Sequence, residues 1–120
     1  MKIKHVILAA VLLVATKGYA IAVGDDAPPL PKSGWHNPPE ETDVKNLKGF
    51  VIIVELWGIN CPPCIRSLPL MNEHYKKHYD EGLRVFAFHV QQDYSRAIEH
   101  FKNNTFQMPL HDAVRESSAY

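Results

Sequence analysis

The sequence predicts a single α/β domain centred on a βαβ unit with parallel strands. Residues 50–57 (FVIIVELW) and 83–90 (LRVFAFHV) are nearly continuous apolar runs, which is typical of strands covered on both faces. Between them, residues 63–79 repeat apolar side chains at helical spacing. A strand, a helix and a strand within about forty residues match the length of a βαβ unit, for which a right-handed crossover is expected.

The composition fits this class and excludes one group of functions. The 120 residues suffice for one domain and not two, and 46% of them are hydrophobic while 22% are charged. The formal net charge is +0 and there is no block of basic residues, so we expect no nucleic-acid partner.

Residues 1–22 are predicted to be a secretory signal peptide. Lys2 and Lys4 precede an apolar core of about ten residues, and the small residues Ala20 and Ala22 offer two cleavage sites. Such a core is too short to span a bilayer, which takes about 20 residues, although an uncleaved N-terminal anchor is the alternative. We therefore expect a periplasmic or otherwise extracytoplasmic mature chain without a membrane span, in a compartment where disulfides persist.

Residues 23–49 are predicted to form an extended N-terminal arm that lies along the domain. Residues 28–39 contain five of the nine prolines, and such a stretch favours extended or turning backbone over helix. Gly49 then marks a turn, and we expect the folded domain to occupy residues 50–120.

The elements of this domain follow one another in a simple order. Glu55 interrupts the first strand, and Pro69 lies inside the first helix, where it should introduce a kink. Gly82 ends that helix, the second strand follows, and residues 95–102 form a second helix with apolar side chains on one face. The C-terminal residues predict one short extended piece and the start of another helix.

The only two cysteines, Cys61 and Cys64, stand where the first strand gives way to the first helix. Unpaired amides and the helix dipole at such a position stabilise a thiolate, so its pKa falls from about 8.5 towards roughly 3.5 to 7.5. The thiolate is the nucleophile in thiol–disulfide exchange. Cys61 is therefore the predicted attacking sulfur, and Cys64, one turn further on, is predicted to resolve the mixed disulfide.

Other interpretations of the pair are weaker, and one stays open. A structural zinc site needs four ligands, a haem attachment site needs histidine where Ile65 stands, and a structural disulfide here would close a very small loop. The open alternative is a soft-metal module in which Cys61, Cys64 and a histidine hold Cu(I). His89, near the end of the second strand, is the histidine expected to approach the site.

Glu55 is a second candidate catalytic residue. A carboxylate within a buried strand is costly unless it is paired or used, and Glu55 lies on the same side of the strand as Trp57. From below the cysteine pair it could exchange a proton with Cys64 while the mixed disulfide resolves. The alternative is an edge-facing glutamate that reaches water.

The segment VELWGINCPPCIRSLP resembles the active-site region of thioredoxin-like proteins, in particular the exported TlpA/ResA-type subgroup. Its aromatic-small-x-x-Cys pattern runs from Trp57 to Cys61, its helix proline is Pro69, and its buried acid corresponds to Glu55. Upstream, VGDDAPPL and DVKNLKGF resemble the segments that lead into the first core strand of that subgroup. Asn60 departs from the pattern, since the family often has an aromatic residue there.

This resemblance implies a thiol–disulfide oxidoreductase that acts on client proteins. Reduction of the client, for example in cytochrome c maturation, is the expected direction, and an oxidant role stays open. It implies a membrane-bound electron donor and a redox-active Cys61–Cys64 disulfide. The surface that meets the client is expected to include Trp57, Pro62 and Pro63. No cofactor and no further metal site are predicted.

The resemblance covers roughly residues 23–120 and breaks off where the family continues with a cis-proline strand, a hairpin and a last helix. FQMPLHDAVRESSAY resembles the segment just before that strand, so we expect a chain truncated at its C-terminus. Such a core would be marginally stable and prone to association, and the fragment could be inactive. The alternative is that Pro109 is itself the cis-proline.

Overall fold

A computed structural model describes residues 21–117 of the chain, without the side chains of the last two. The predicted signal peptide lies almost wholly in residues 1–20, outside the described residues, and stays a prediction. The predicted boundaries after residues 22 and 49, between signal peptide, arm and domain, also stay predictions. Within residues 21–117, no helix is long and apolar enough to cross a membrane.

The described chain alternates strands and helices, as the sequence predicts. The elements in order are β1 (Val51–Trp57), α1 (Pro62–His78), β2 (Leu83–His89), α2 (Tyr94–Asn103), β3 (Leu110–Asp112) and α3 (Ala113–Ser117). The predicted boundaries of β1, α1, β2 and α2 differ from these by a single residue at each end where they differ at all. The α/β fold class is therefore confirmed.

The three strands form one parallel sheet in the order β1-β2-β3. Val51 is paired with Leu83 at one end of β1 and Trp57 with His89 at the other, so β1 and β2 run in register along their whole length. Because the strands are parallel, their C-terminal ends meet at one edge of the sheet, where Cys61 follows β1.

The core lies between the sheet and the two longer helices. Buried apolar side chains from β1, β2 and β3 meet Leu68 of α1 and Phe101 of α2. The full buried cluster is Trp57, Leu68, Val85, Ala87, Ala97, Phe101, Phe106, Met108 and Leu110. This arrangement fixes α1, and the cysteine pair at its start, against the C-terminal ends of the strands.

Asn72 of α1 is a buried polar residue that ties the helix to the segment before β3. Its Oδ1 accepts hydrogen bonds from the backbone N–H groups of Gln107 (2.7 Å) and Met108 (3.2 Å). These two hydrogen bonds satisfy the buried side-chain oxygen of Asn72 and fix the segment before β3 against α1. The peptide bond that precedes Pro109 is trans, unlike the alternative in which this residue is the cis-proline.

The arm covers the opposite face of the sheet, over β2 and β3. The indole of Trp35 packs against Phe86 and Phe88 of β2, at centroid distances of 5.7 and 5.4 Å, and His36 makes an antiparallel bridge to Leu110. These contacts agree with an arm that lies along the domain.

The burial of β1 on both faces, expected from its apolar sequence, is wrong for this structure. Ile52, Val54 and Leu56 point away from the core and are 37%, 51% and 63% exposed. The reason is that the ring contacts of the arm on this face of the described sheet go to β2 and β3, which leaves the outer face of β1 without such a cover. An apolar run therefore does not reveal whether a covering partner is present.

Candidate active site

The cysteine pair occupies the junction between β1 and α1, as predicted. Cys61 is the N-cap residue of α1, in extended conformation, and Cys64 lies in the first turn and packs against the hydrophobic core. The two residues are joined in a disulfide, with their Cα atoms 5.2 Å apart. Both side chains are half-buried, so an exchange partner can reach the bond from solvent.

The start of α1 offers a particular electrostatic environment. Pro62 and Pro63 occupy the first two helical positions, and neither has an amide hydrogen. The first backbone N–H of the helix that can point at a thiolate is therefore that of Cys64. The next one, of Ile65, already donates to the Cys61 carbonyl at 3.0 Å. No acidic residue lies in the first turn, and Arg66 is exposed beside it.

Glu55 lies beneath this turn and is linked to it through Ser67. The Ser67 hydroxyl is 3.2 Å from Glu55 Oε1 and 2.8 Å from the Cys64 carbonyl oxygen. Because a hydroxyl carries one hydrogen, it can donate to only one of these oxygens at a time. Ser67 thus connects Glu55 to the turn that carries Cys64. The sequence analysis did not assign Ser67 to the site.

The turn between β1 and Cys61 is held by residues at the C-terminal end of β2 and just after it. His89 Nε2 accepts from the Ile59 N–H at 3.2 Å, and Gln91 Oε1 accepts from the Asn60 N–H at 2.9 Å. The Val90 N–H donates to the Trp57 carbonyl at 2.9 Å, just before this turn. His89 approaches the site as expected, whereas nothing in the sequence singled out Gln91.

Burial disfavours the charged form of His89. Its side chain is fully buried, and this lowers the pKa of the imidazole below its ordinary value, against the smaller opposing effects of Asp112 and Asp93. The neighbouring phenol of Tyr94 donates to the Leu110 carbonyl at 3.1 Å, and burial raises the pKa of Tyr94 to about 12. Near neutral pH both rings are therefore uncharged.

Trp57 requires a correction. It was expected to contribute to the client surface, but its side chain is only 1% exposed and stacks on Phe101 at a centroid distance of 5.4 Å. A ring enclosed in this way cannot contact a client, so we assign Trp57 to the core. Pro62 and Pro63 are exposed, and their contact with clients stays a prediction.

The structure does not assemble the metal site of the alternative interpretation. Among the described residues there is no group of three or more histidine, cysteine, aspartate or glutamate side chains placed to hold a metal ion. His89 uses its Nε2 on the Ile59 amide instead.

Comparison with known proteins agrees with this geometry. The family model of redoxins matches residues 22–118. The chain belongs to the redoxin family. Two curated relatives named thiol-disulfide oxidoreductase ResA, from Bacillus thuringiensis and Geobacillus thermodenitrificans, are each 31% identical, over 64 and 90 residues. These matches cover 53% and 66% of this redoxin chain but only 36% and 51% of the relatives.

A solved structure supports the fold of this redoxin. The thiol:disulfide interchange protein of the thioredoxin family from Chlorobium tepidum TLS matches with a TM-score of 0.58 at 23% identity. The match covers 77% of this chain and 66% of that one. The predicted resemblance to thioredoxin-like proteins of the TlpA/ResA type is therefore confirmed.

Proposed function

We propose that this redoxin is an exported thiol–disulfide oxidoreductase that exchanges disulfides with client proteins through Cys61 and Cys64, with reduction of the client as its direction. The observation that carries the proposal is the disulfide between an N-cap cysteine and a cysteine of the same first turn. The names of the ResA relatives support the reaction class. Export is supported by the N-terminal sequence pattern, and a membrane-bound electron donor by resemblance.

In the reductive direction, the thiolate of Cys61 attacks one sulfur of a client disulfide. An S–S bond forms between Cys61 and the client, and the second client sulfur leaves as a thiolate. The thiolate of Cys64 then attacks the Cys61 sulfur, which forms the Cys61–Cys64 disulfide and releases the reduced client. Two electrons have passed to the client, and a dithiol donor must return them before the next cycle.

The resolving step needs the proton of Cys64 to be removed, and Glu55 is the proposed acceptor. Cys64 packs against the core, where burial disfavours a thiolate. The Ser67 hydroxyl, which contacts both the Cys64 carbonyl and Glu55, holds the carboxylate beneath this turn. Glu55 would then act as general base in reduction and as general acid in the reverse direction.

Replacing Glu55 with glutamine should slow the resolving step by about a hundredfold near neutral pH, because the amide cannot accept the proton. At alkaline pH, where Cys64 ionises unaided, the rates of variant and wild type should converge. The measurement is the decay of a preformed mixed disulfide as a function of pH. Glu73→Gln, an exposed residue of α1, is the matched control and should leave the profile unchanged. An unaltered profile in Glu55→Gln would remove Glu55 from the mechanism.

The reaction class itself is tested with insulin as client and dithiothreitol as electron source. The reduced protein should accelerate precipitation of the insulin B chain at substoichiometric concentration. Copper titration of the same reduced sample provides the opposing measurement. Stoichiometric Cu(I) binding without insulin turnover would replace the oxidoreductase proposal with the soft-metal module.

A further inference from the structure

We propose that His89 and Gln91 are positioning residues for Cys61, which fix the turn Gly58–Asn60 through two side-chain acceptors, and that His89 does so only while its ring is neutral. Disulfide exchange at Cys61 then falls at acid pH for a reason separate from protonation of the thiolate itself. The inference rests on the proposed function, because it concerns the residue that carries out the exchange.

The geometry places both acceptors on consecutive amides. Ile59 N–H donates to His89 Nε2 and Asn60 N–H donates to Gln91 Oε1, so the two residues directly before Cys61 are held from the same segment. The Cys61 N–H in turn donates to the Gly58 carbonyl at 3.0 Å, which closes the turn. The position of the Cys61 backbone therefore depends on a turn whose amides are held by side chains of another segment.

Gly58 shows how closely this second segment approaches. A Cβ atom at position 58 would overlap the side-chain amide of Gln91, so Gly58 leaves the space that this amide occupies while it accepts from the Asn60 N–H. Gly58 and His89 are buried, whereas Gln91 is half-buried and Asn60 is exposed. The bond to His89 therefore belongs to the packed domain, and the bond to Gln91 lies at its surface.

The hydrogen bond from Ile59 defines the state of His89. Since Nε2 accepts, the proton of the neutral ring lies on Nδ1, which is buried and has no hydrogen-bond partner among the described residues. Protonation would place an N–H on Nε2, opposite the Ile59 N–H, and the two donors would repel. The turn would then lose its attachment next to Cys61.

The groups that face His89 act in opposite directions. Asp112 of β3 and Asp93 at the start of α2 favour the charged ring, while burial opposes it and has the larger effect. Tyr94 of α2, at a centroid distance of 6.1 Å, stays protonated, and Trp57 of β1 does not titrate. The pKa of His89 in the folded chain thus lies below 6.5, its unfolded value, so this histidine stabilises the fold above pH 6.5 and destabilises it as the pH falls below.

The test compares two substitutions of His89 in the full chain. His89→Gln keeps an acceptor near the position of Nε2 and cannot be protonated, whereas His89→Leu removes the acceptor with little change of volume. The rate of Cys61 alkylation by iodoacetamide is measured across pH and divided by the thiolate fraction obtained from ultraviolet absorbance. Insulin reduction is measured in parallel.

We expect His89→Leu to lose about tenfold in thiolate-normalised rate and in insulin kcat/KM at neutral pH, the effect of displacing a reacting group by a fraction of an ångström. His89→Gln should retain the neutral rate within about threefold and should lack the acid decline of the normalised wild-type rate. Wild-type rates in His89→Leu, or an acid decline that persists in His89→Gln, would overturn the inference. Failure of the wild type to turn over insulin would instead overturn the proposed function.

Gln91 provides a second pair of variants in case His89→Leu does not fold. Gln91→Ala removes the acceptor of the Asn60 amide from a half-buried position, and Gln92→Ala changes an exposed neighbour with no part in the turn. We expect Gln91→Ala to lose about threefold to tenfold in normalised rate while Gln92→Ala matches the wild type. Equal rates in these two variants would contradict the positioning role.

Discussion

Cys61→Ser should abolish reduction of protein disulfides, with a loss of at least about a thousandfold, because a serine hydroxyl is not ionised near neutral pH and does not attack disulfides. The location of Cys61 in the structure supports a loss of this size. Cys61 is the N-cap of α1 and half-exposed, whereas Cys64 is packed against the core within the first turn. Cys64 is the only cysteine that this variant retains, and its side chain packs against the core.

The companion variant separates the two sulfurs. Cys64→Ser leaves the attacking sulfur in place and removes the resolving one, so it should accumulate a mixed disulfide with the client instead of turning over. Non-reducing electrophoresis and intact mass after incubation with oxidised insulin provide the measurement. If Cys61→Ser captures the client and Cys64→Ser does not, the roles assigned to the two cysteines must be exchanged.

Trp57→Ala should destabilise the fold by about 3–5 kcal/mol, the range for truncating a large buried aromatic side chain. Trp57 is 1% exposed and is the largest fully buried side chain, in contact with Phe101 of α2 and His89 of β2. Its removal therefore opens a cavity where β1, β2 and α2 meet. Urea or thermal unfolding followed by circular dichroism measures the loss, and absence of a cooperative transition would also agree with it.

Trp57→Phe is the matched control for this substitution. It retains an aromatic ring against Phe101 and removes the indole N–H, which is buried without a hydrogen-bond partner among the described residues. The loss of volume is thus offset in part by relief of an unsatisfied donor, and we expect a cost below about 2 kcal/mol. A loss below about 1 kcal/mol for Trp57→Ala would contradict the core assignment and revive the predicted client contact.

The elements that sequence predicts well are those set by local pattern. The strand β1 follows from its β-branched residues, and α1 follows from its periodicity and from Pro62 and Pro63, which suit its first turn. The placement of Cys61 at the helix start, on which the candidate site depends, is a consequence of these two elements. Patterns among neighbouring residues are therefore sufficient to predict β1, α1 and the place of Cys61 between them.

The remaining features depend on which distant residues meet. The exposure of Ile52, Val54 and Leu56 depends on what covers β1, and the burial of Trp57 depends on the position of α2. The hydrogen bonds of Ser67 and Gln91 bridge 12 and 31 positions of sequence, respectively. Serine and glutamine are usually surface residues, so no periodicity or spacing in the sequence shows that Ser67 and Gln91 reach the site.

The paired prolines at the start of α1 bear on the midpoint potential that we expect for the cysteine pair. A cysteine pair becomes a strong oxidant when its reduced form is stabilised, and amide donors to the thiolate are one source of that stabilisation. Without amide hydrogens at Pro62 and Pro63, the reduced pair receives less of it. The midpoint potential should accordingly lie towards the negative end of the range for such pairs, which suits donation of electrons to clients.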